Sequence, residues 1–316
     1  ENFDRLEKTN MSSDARDQFL EFLNGNAYII AALTAVVAMV GHFFLNRFMM
    51  TRATGKKEDG PASAGAVLDV DEFRPFALQF VEKVSHNTKI LRFALPDSSA
   101  TLGLPLGQHL SLRIVPDGDT DEVRRSYTPI SPLDARGSFD LLIKVYPEGK
   151  MTQFLDKLRV GETVDVRGPK GNFRHDPART RKYGMIAGGS GITPMWQVLT
   201  ELLKDTSDGN DTSTGPIDEI SLIYANETED DILLRKPMET LAAAHPTRFR
   251  LYFVLNKPSE NWSSGRGFVS ETMIRNEIGG PERGKRVLLC GPLPMNKAMK
   301  THLSNIGYAE EDVFKF

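Results

Sequence analysis

The chain has 316 residues, 40% of them hydrophobic and 26% charged, with a formal net charge of −3. That length admits two ordinary domains, and the near-neutral charge excludes the broad basic surface with which proteins bind nucleic acid. A lone cysteine, Cys290, excludes an intramolecular disulfide and a cysteine-cluster metal site, and the six histidines contain no H-x-x-x-H pair, so no metal and a reducing compartment are expected.

Residues 1–26 are a short tail richer in acidic than basic side chains. The next stretch, 27–45, reads "AYIIAALTAVVAMVGHFFL", apolar on every side and uncharged apart from His42. A bilayer core is crossed by about 20 apolar residues in a helix. The stretch is therefore read as a single transmembrane anchor. A core helix would keep a polar stripe, and a cleaved signal peptide would be shorter and follow a basic segment. Arg5, Lys8 and Arg16 precede it, and Arg47, Arg52, Lys56 and Lys57 follow it, which places the body of the chain in the cytoplasm. The acidic tail is unlike a mitochondrial presequence, and a chain that opens at Glu1 rather than Met leaves room for residues upstream. Sequons stand at Asn10, Asn210, Asn226 and Asn261. With the body in the cytosol, only Asn10 would meet a glycosylating lumen.

Residues 46–72, including "TGKKEDGPASAGAV", read as a flexible linker. From 73 to 178 the runs "FALQFVEKVS", "TKILRFALP", "QHLSLRIVP", "SFDLLIKVYP" and "ETVDVRGP" alternate and are bounded by Gly, Pro, Asn and Asp. They predict short strands in a barrel or sandwich, with one or two helical turns in "MTQFLDKL". From 179 to 316 strand patterns ("KYGMIAG", "EISLIYAN", "RFRLYFVLN", "KRVLLCGP") alternate with helical ones ("TPMWQVLTELLKD", "LLRKPMETLAAAH", "SETMIRNEI", "PMNKAMKTHLSNIG"). That alternation predicts a parallel sheet covered on both faces.

Four loops in this frame carry chemistry. "MIAGGSGITPM" follows the first parallel strand and opens a helix, where backbone N–H groups and the helix dipole suit an anion; its Gly189-x-Gly191-x-x-Pro194 departs from G-x-G-x-x-G. "LLCGPLPM" ends the last parallel strand, so the two strand ends could face each other across one ligand. In the β half, "RRSYTPISP" supplies Arg125 for a phosphate, Tyr127 for a flat ring and Thr128 for its edge. "IKVYPEGKMTQF" sets Gly149, Lys150, Met151 and Thr152 at the start of a helix, a second candidate anion site. Each has an ordinary structural reading as well: an exposed strand arginine, a half-buried tyrosine, a capping threonine, a buried cysteine.

Together "RSYTPIS", "IKVYPEGKMTQFL", "RGPKGNF", "MIAGGSGITPM", "DILLR" and "LLCGPLPM" resemble, in order and approximate spacing over about residues 73–316, the NADH–cytochrome b5 reductases. These belong to the ferredoxin–NADP reductase-like flavoenzymes. The resemblance implies an α/β plus all-β chain: an N-terminal transmembrane helix, an FAD-binding β-barrel domain at 73–178, and a Rossmann-like parallel-sheet NAD-binding domain at 179–316. It implies FAD and NADH as cofactors and cytochrome b5 or a similar haem protein as partner. The expected setting is single-pass, in the endoplasmic reticulum or mitochondrial outer membrane, with the catalytic body cytosolic.

Carried over by the resemblance, Arg125 holds the FAD pyrophosphate, Tyr127 packs on the flavin and Thr128 bonds near its N5. Ile143 and Val145 offer backbone to the ring, Gly149, Lys150, Met151 and Thr152 meet the phosphates, and Thr193 lies beside the isoalloxazine. NADH falls to Gly188, Gly189, Ser190, Gly191, Pro194, Glu227, Asn256, Gly291, Pro292 and Met295, with Cys290 facing the nicotinamide. Thr128, Lys144, Thr193 and Cys290 are the expected catalytic set. The acidic run "ETEDD" would repel a 2′-phosphate, so NADH is expected over NADPH. Two positions depart from the family: Ser126 stands where members commonly have Pro, and Asn256 where several NADH-specific members have Asp. A same-fold reductase serving another acceptor, such as a nitrate reductase-like module, is the nearest alternative. A tethered protein that keeps the fold without catalysis is a second.

Overall fold

The computed structural model describes residues 66–116, 120–204 and 217–316. The expected tail, anchor and most of the linker, with the sequons at Asn10 and Asn210, lie outside the described residues. Among the described residues no helix is long and apolar enough to cross a membrane.

The first sheet has six antiparallel strands in the order β4-β3-β6-β1-β2-β5. They are β1 (Arg74–Lys83), β2 (Thr88–Ala94), β3 (His109–Ile114), β4 (Val123–Tyr127), β5 (Ser138–Lys144) and β6 (Thr163–Lys170). Period-two patterning sends Leu110, Leu112 and Ile114 of β3, Leu91 and Phe93 of β2 and Val164 and Val166 of β6 into one core. Phe139 sits centrally there, 5.5 Å from the rings of both Phe76 and Phe93. The edge strands β4 and β5 share no ladder, and just past β4 Ile130 N donates to Asp140 O of β5 at 2.9 Å, so the expected barrel is a curled antiparallel sheet that is only partly closed. The short helix α1 (Lys150–Lys157) adds Met151 and Leu155 to the core.

The second sheet is parallel throughout, in the order β10-β9-β8-β7-β11-β12. Its strands are β7 (Lys182–Gly188), β8 (Glu219–Asn226), β9 (Phe249–Leu255), β10 (Gly265–Arg266), β11 (Lys285–Cys290) and β12 (Val313–Lys315). The central strands are apolar on both faces because both are covered. Met185, Leu222 and Tyr224 pack with α2 (Ile192–Leu202) and α3 (Arg235–Ala244). Ile186, Ile223 and Leu289 pack with α4 (Glu271–Glu277) and α5 (Leu293–Ile306). β10 and β12, of two and three residues, are too short for a periodic signal, and the sequence did not foretell them.

Helix α2 joins the two sheets. Trp196 Nε1 donates to Ile130 O at 3.2 Å. The fully buried Gln197 accepts from Gly107 N at 2.8 Å. A buried amide N–H without a partner is destabilising by about 1–3 kcal/mol, so this glutamine fixes the contact as well as filling it.

Candidate functional site

β7 ends at Gly188, a single 3-10 turn spans Gly189–Gly191, and α2 starts at Ile192. Pro194 is the third residue of that helix rather than its first, where its missing N–H still has no intrahelical partner to lose. β11 is the neighbour of β7, with Cys290 opposite Ala187, so the two glycine-bearing ends touch here rather than face each other across a gap. A Cβ on Gly188 would lie 2.4 Å from Met295 Sδ, and one on Gly191 2.3 Å from Cys290 O. One on Gly291 would lie 2.9 Å from Met295 Sδ. These three glycines serve the protein's own packing. Gly189 differs: its φ is +53°, a Cβ there would meet nothing within 4 Å, and its carbonyl accepts from the buried Tyr224 hydroxyl at 2.9 Å.

That open space belongs to a cavity of about 670 Å³ along the carboxyl ends of β7, β8 and β9. Of the residues expected from sequence, Gly188, Gly189, Glu227, Asn256, Pro292 and Met295 line it, together with Lys144 from the barrel. Tyr146, Phe268 and His302 also line it; Tyr146 lies within "IKVYPEGKMTQF" but outside the residues expected from it, and nothing in the sequence context of Phe268 and His302 marks them. Ser190, Gly191, Thr193, Pro194, Cys290 and Gly291 are not among its walls. Asn226 is, with its side-chain amide turned to the buried Tyr224 hydroxyl and its polar atoms shielded from solvent.

On the barrel side of the cavity, Lys144 Nζ donates to Asp231 Oδ1 at 2.7 Å, with 15% and 14% of the two side chains exposed. Asp231 Oδ2 accepts from Thr228 N at 3.1 Å and Thr228 Oγ1 at 2.8 Å. Burial pulls the Asp231 carboxyl up, but the bonds from Lys144 and Thr228 outweigh it and hold it below the usual value.

On the barrel itself, Arg125 and Tyr127 share one face of β4, across from Leu112 and Leu110. Arg125 is exposed and donates to Arg124 O at 2.8 Å. Burial, opposed by the Arg125 charge, pushes the Tyr127 phenol up to about 12, so the ring is neutral. Thr128 follows, half-buried. Ile143 points into the barrel core, and Val145 N already donates to Asn87 O at 2.7 Å. Gly149 caps α1, Lys150 is its first residue, and the Met151 side chain is in the core. Thr152 Oγ1 accepts from Tyr146 N at 3.1 Å and donates to Gly149 O at 3.0 Å, which makes it a loop clasp. Thr193 Oγ1 donates to Ser190 O at 3.2 Å. Burial pushes the Cys290 thiol up to about 11.

A cavity across the carboxyl ends of a parallel sheet, with the left-handed Gly189 opening into it, is where open α/β folds bind a dinucleotide. Sequence comparison agrees in both halves. Residues 75–175 match the oxidoreductase FAD-binding domain and 185–301 the oxidoreductase NAD-binding domain. The chain is 44% identical to NADH-cytochrome b5 reductase 1 of Dictyostelium discoideum over 92% of its own length and 98% of that protein's. It is 43% identical to NADH--cytochrome b5 reductase 1 of Arabidopsis thaliana over 79% and 85%. The crystal structure of the cytochrome b5 reductase domain of Ulva prolifera nitrate reductase superposes with a TM-score of 0.72 at 35% identity, covering 79% of this chain and 99% of that one. The chain belongs to the NADH–cytochrome b5 reductase family, FAD- and NAD-dependent oxidoreductases of the ferredoxin–NADP reductase-like fold.

Proposed function

We propose that this protein is a single-pass, membrane-anchored NADH–cytochrome b5 reductase with its catalytic body in the cytosol, at the endoplasmic reticulum or the mitochondrial outer membrane. The observation that carries the catalytic part is the cavity in which the left-handed Gly189 of the NAD domain shares a wall with Lys144 and Tyr146 of the barrel. FAD, when bound, supplies the conversion of a two-electron hydride donor into single electrons for a haem acceptor; the protein supplies binding and orientation.

Arg125 is free of the fold's interior and presents its guanidinium to the pyrophosphate. Neutral Tyr127 would pack on the flavin ring with Thr128 near its edge, and Ile143 and Val145 would offer backbone to it. Gly149, Lys150, Met151 and Thr152 form the phosphate-facing first turn of α1. Thr193 and Cys290 bound the reacting pair from the NAD side. At neutral pH the Cys290 thiol stays protonated, given its raised pKa, and so acts as a soft neutral wall rather than a base. Pairing with Asp231 keeps Lys144 oriented at the point where the nicotinamide end must meet the barrel. Gly188, Gly189, Glu227, Asn256, Pro292 and Met295 would line the rest of NADH, with Ser190, Gly191, Pro194 and Gly291 shaping the turns behind them.

The purified protein is expected to be yellow and to bleach on anaerobic addition of NADH, then reoxidise with stoichiometric reduction of cytochrome b5. A colourless protein, or one that NADH leaves yellow, would defeat the reading. Anchoring rests on the 27–45 stretch. It predicts a pellet resistant to alkaline carbonate, and in the reticulum a glycan on Asn10 but none on Asn226 or Asn261. A glycan on Asn226, a wall of the cavity, would reverse the orientation. A different haem acceptor is favoured as the second reading by the likeness to the nitrate reductase domain; comparative turnover with cytochrome b5 and other acceptors separates the two.

A further inference from the structure

The cavity has direction. Lys144, Tyr146 and Gly189 form its barrel end, and from there it runs past Glu227 after β8 and Asn256 after β9 to Phe268 after β10. From β7 to β10 the sheet steps across three strand spacings, roughly 14 Å at about 4.8 Å each. A dinucleotide whose nicotinamide must reach the barrel therefore places its adenosine ribose away from it, along the loops that follow β8 and β9. Of the two carboxylates among the described residues lining the cavity, Asp231 has both oxygens engaged, by Lys144 and by Thr228. Glu229, close in sequence, is tied to Arg235 and Ser259. Asn256 is neutral. That leaves Glu227, immediately after β8, which is where an acidic residue meets the ribose 2′-hydroxyl in parallel-sheet dinucleotide sites.

Glu227 does not stand alone. Lys257, one residue past Asn256, forms an ion pair with it, and the two loops are laced together by Asn256 N to Asn226 O at 3.0 Å and Lys257 N to Glu227 O at 2.7 Å. Both side chains are largely exposed, 68% for Lys257 and 55% for Glu227. The lysine can therefore leave the carboxylate without disturbing the core, and the pair is worth little to stability. A 2′-phosphate arriving at this rim would be repelled by Glu227 and attracted by Lys257.

We propose that Glu227 and Lys257 together set the nucleotide preference: the carboxylate selects the ribose 2′-hydroxyl, and the lysine it holds is a latent 2′-phosphate site that is masked as long as Glu227 is charged. The proposal rests on the reading of the cavity as the NADH site. Removing the negative charge alone then converts the rim from rejecting to accepting a 2′-phosphate, with no new basic residue introduced.

The test is calorimetric binding of 5′-AMP and adenosine 2′,5′-bisphosphate to the flavin-loaded protein, backed by kcat/KM for NADH and NADPH. Glu227→Gln is expected to raise affinity for the bisphosphate relative to AMP at least tenfold, and Lys257→Met in that background to return the ratio to or below the parent's. Lys257→Met alone is expected to sharpen discrimination against the bisphosphate. A ratio unmoved by Glu227→Gln overturns the proposal, and a gain that survives Lys257→Met removes the lysine from it. Phe268→Ala reads the cavity separately, since its side chain is 80% exposed and its loss spares the fold. If it weakens AMP severalfold while Glu227→Gln changes nothing, the cavity reading stands and the proposal falls. If neither substitution affects either probe, the cavity reading itself falls.

Discussion

Lys144, the last residue of a barrel strand, donates to Asp231 of the nucleotide domain at 2.7 Å, and the two side chains form the cavity's barrel-side wall. Lys144→Met leaves a largely buried carboxylate with only the Thr228 bonds and is expected to destabilise the protein by about 2–4 kcal/mol at pH 7. Asp231 is held below its ordinary pKa, so its contribution is full above the ordinary carboxylate range and fades as pH falls through the lowered folded value. In the variant a protonated Asp231 no longer needs the lysine, so the gap to the parent should narrow below about pH 4. Denaturant melts of both proteins at pH 7 and pH 3 check this; an equal gap at both would remove the pair from the account.

Two neighbouring glycines should respond differently to alanine. Gly191→Ala places a methyl 2.3 Å from the Cys290 carbonyl oxygen, a backbone atom with no room to retreat, so poor folding and a sharply lowered melting temperature are expected. Gly189→Ala meets no protein atom. It carries the strain of a left-handed alanine, about 1–2 kcal/mol, and its methyl enters the cavity. That variant should fold, retain flavin and show a raised KM for NADH.

Arg125→Ala is expected to yield folded protein depleted of FAD. The side chain is exposed and its bond to Arg124 O stays within its own strand, so the fold does not depend on it. A charge-assisted phosphate contact is worth about 1.5–3 kcal/mol, or tenfold and more in affinity. Flavin content after dilution, read from the visible spectrum, decides; full occupancy would sink the assignment.

Cys290→Ser should fold normally and turn over NADH more slowly. Because burial holds the thiol near 11, above the ordinary cysteine value, alkylation of the parent should be slow at pH 7.5 and accelerate as pH rises toward that value. Were Cys290 only a filler of the sheet edge, the serine would lower the melting temperature and leave kcat intact. A melt and a rate measured on the same preparation distinguish the two.

Much of the frame could be read from sequence, because strands and helices announce themselves by period. The alternation in "HLSLRI" and the two-sided apolarity of "YGMIAG" gave the antiparallel and parallel sheets directly. The glycine loop was located but only partly understood. Composition says that Gly188, Gly191 and Gly291 need to be small; it does not say that what presses on them is Met295 and the Cys290 carbonyl. Long-range pairing carries no local mark, which is why Lys144 could be named without its partner, and why Lys257 looked like any surface lysine. Phe268 and His302 reach the cavity only because β10 and α5 come to lie beside it.

Helix α2 begins at the glycine loop and, one turn later, is bolted to the barrel through Trp196 and Gln197. The two halves are therefore not interchangeable modules joined by a tether. A chimera that takes its nucleotide half from a relative must keep side chains equivalent to Trp196 and Gln197, or leave Ile130 O and Gly107 N unpaired at the seam between the halves. Recombination among family members should accordingly favour crossovers that keep these segments together, and laboratory shuffling between β6 and β7 should return soluble hybrids with misaligned electron transfer.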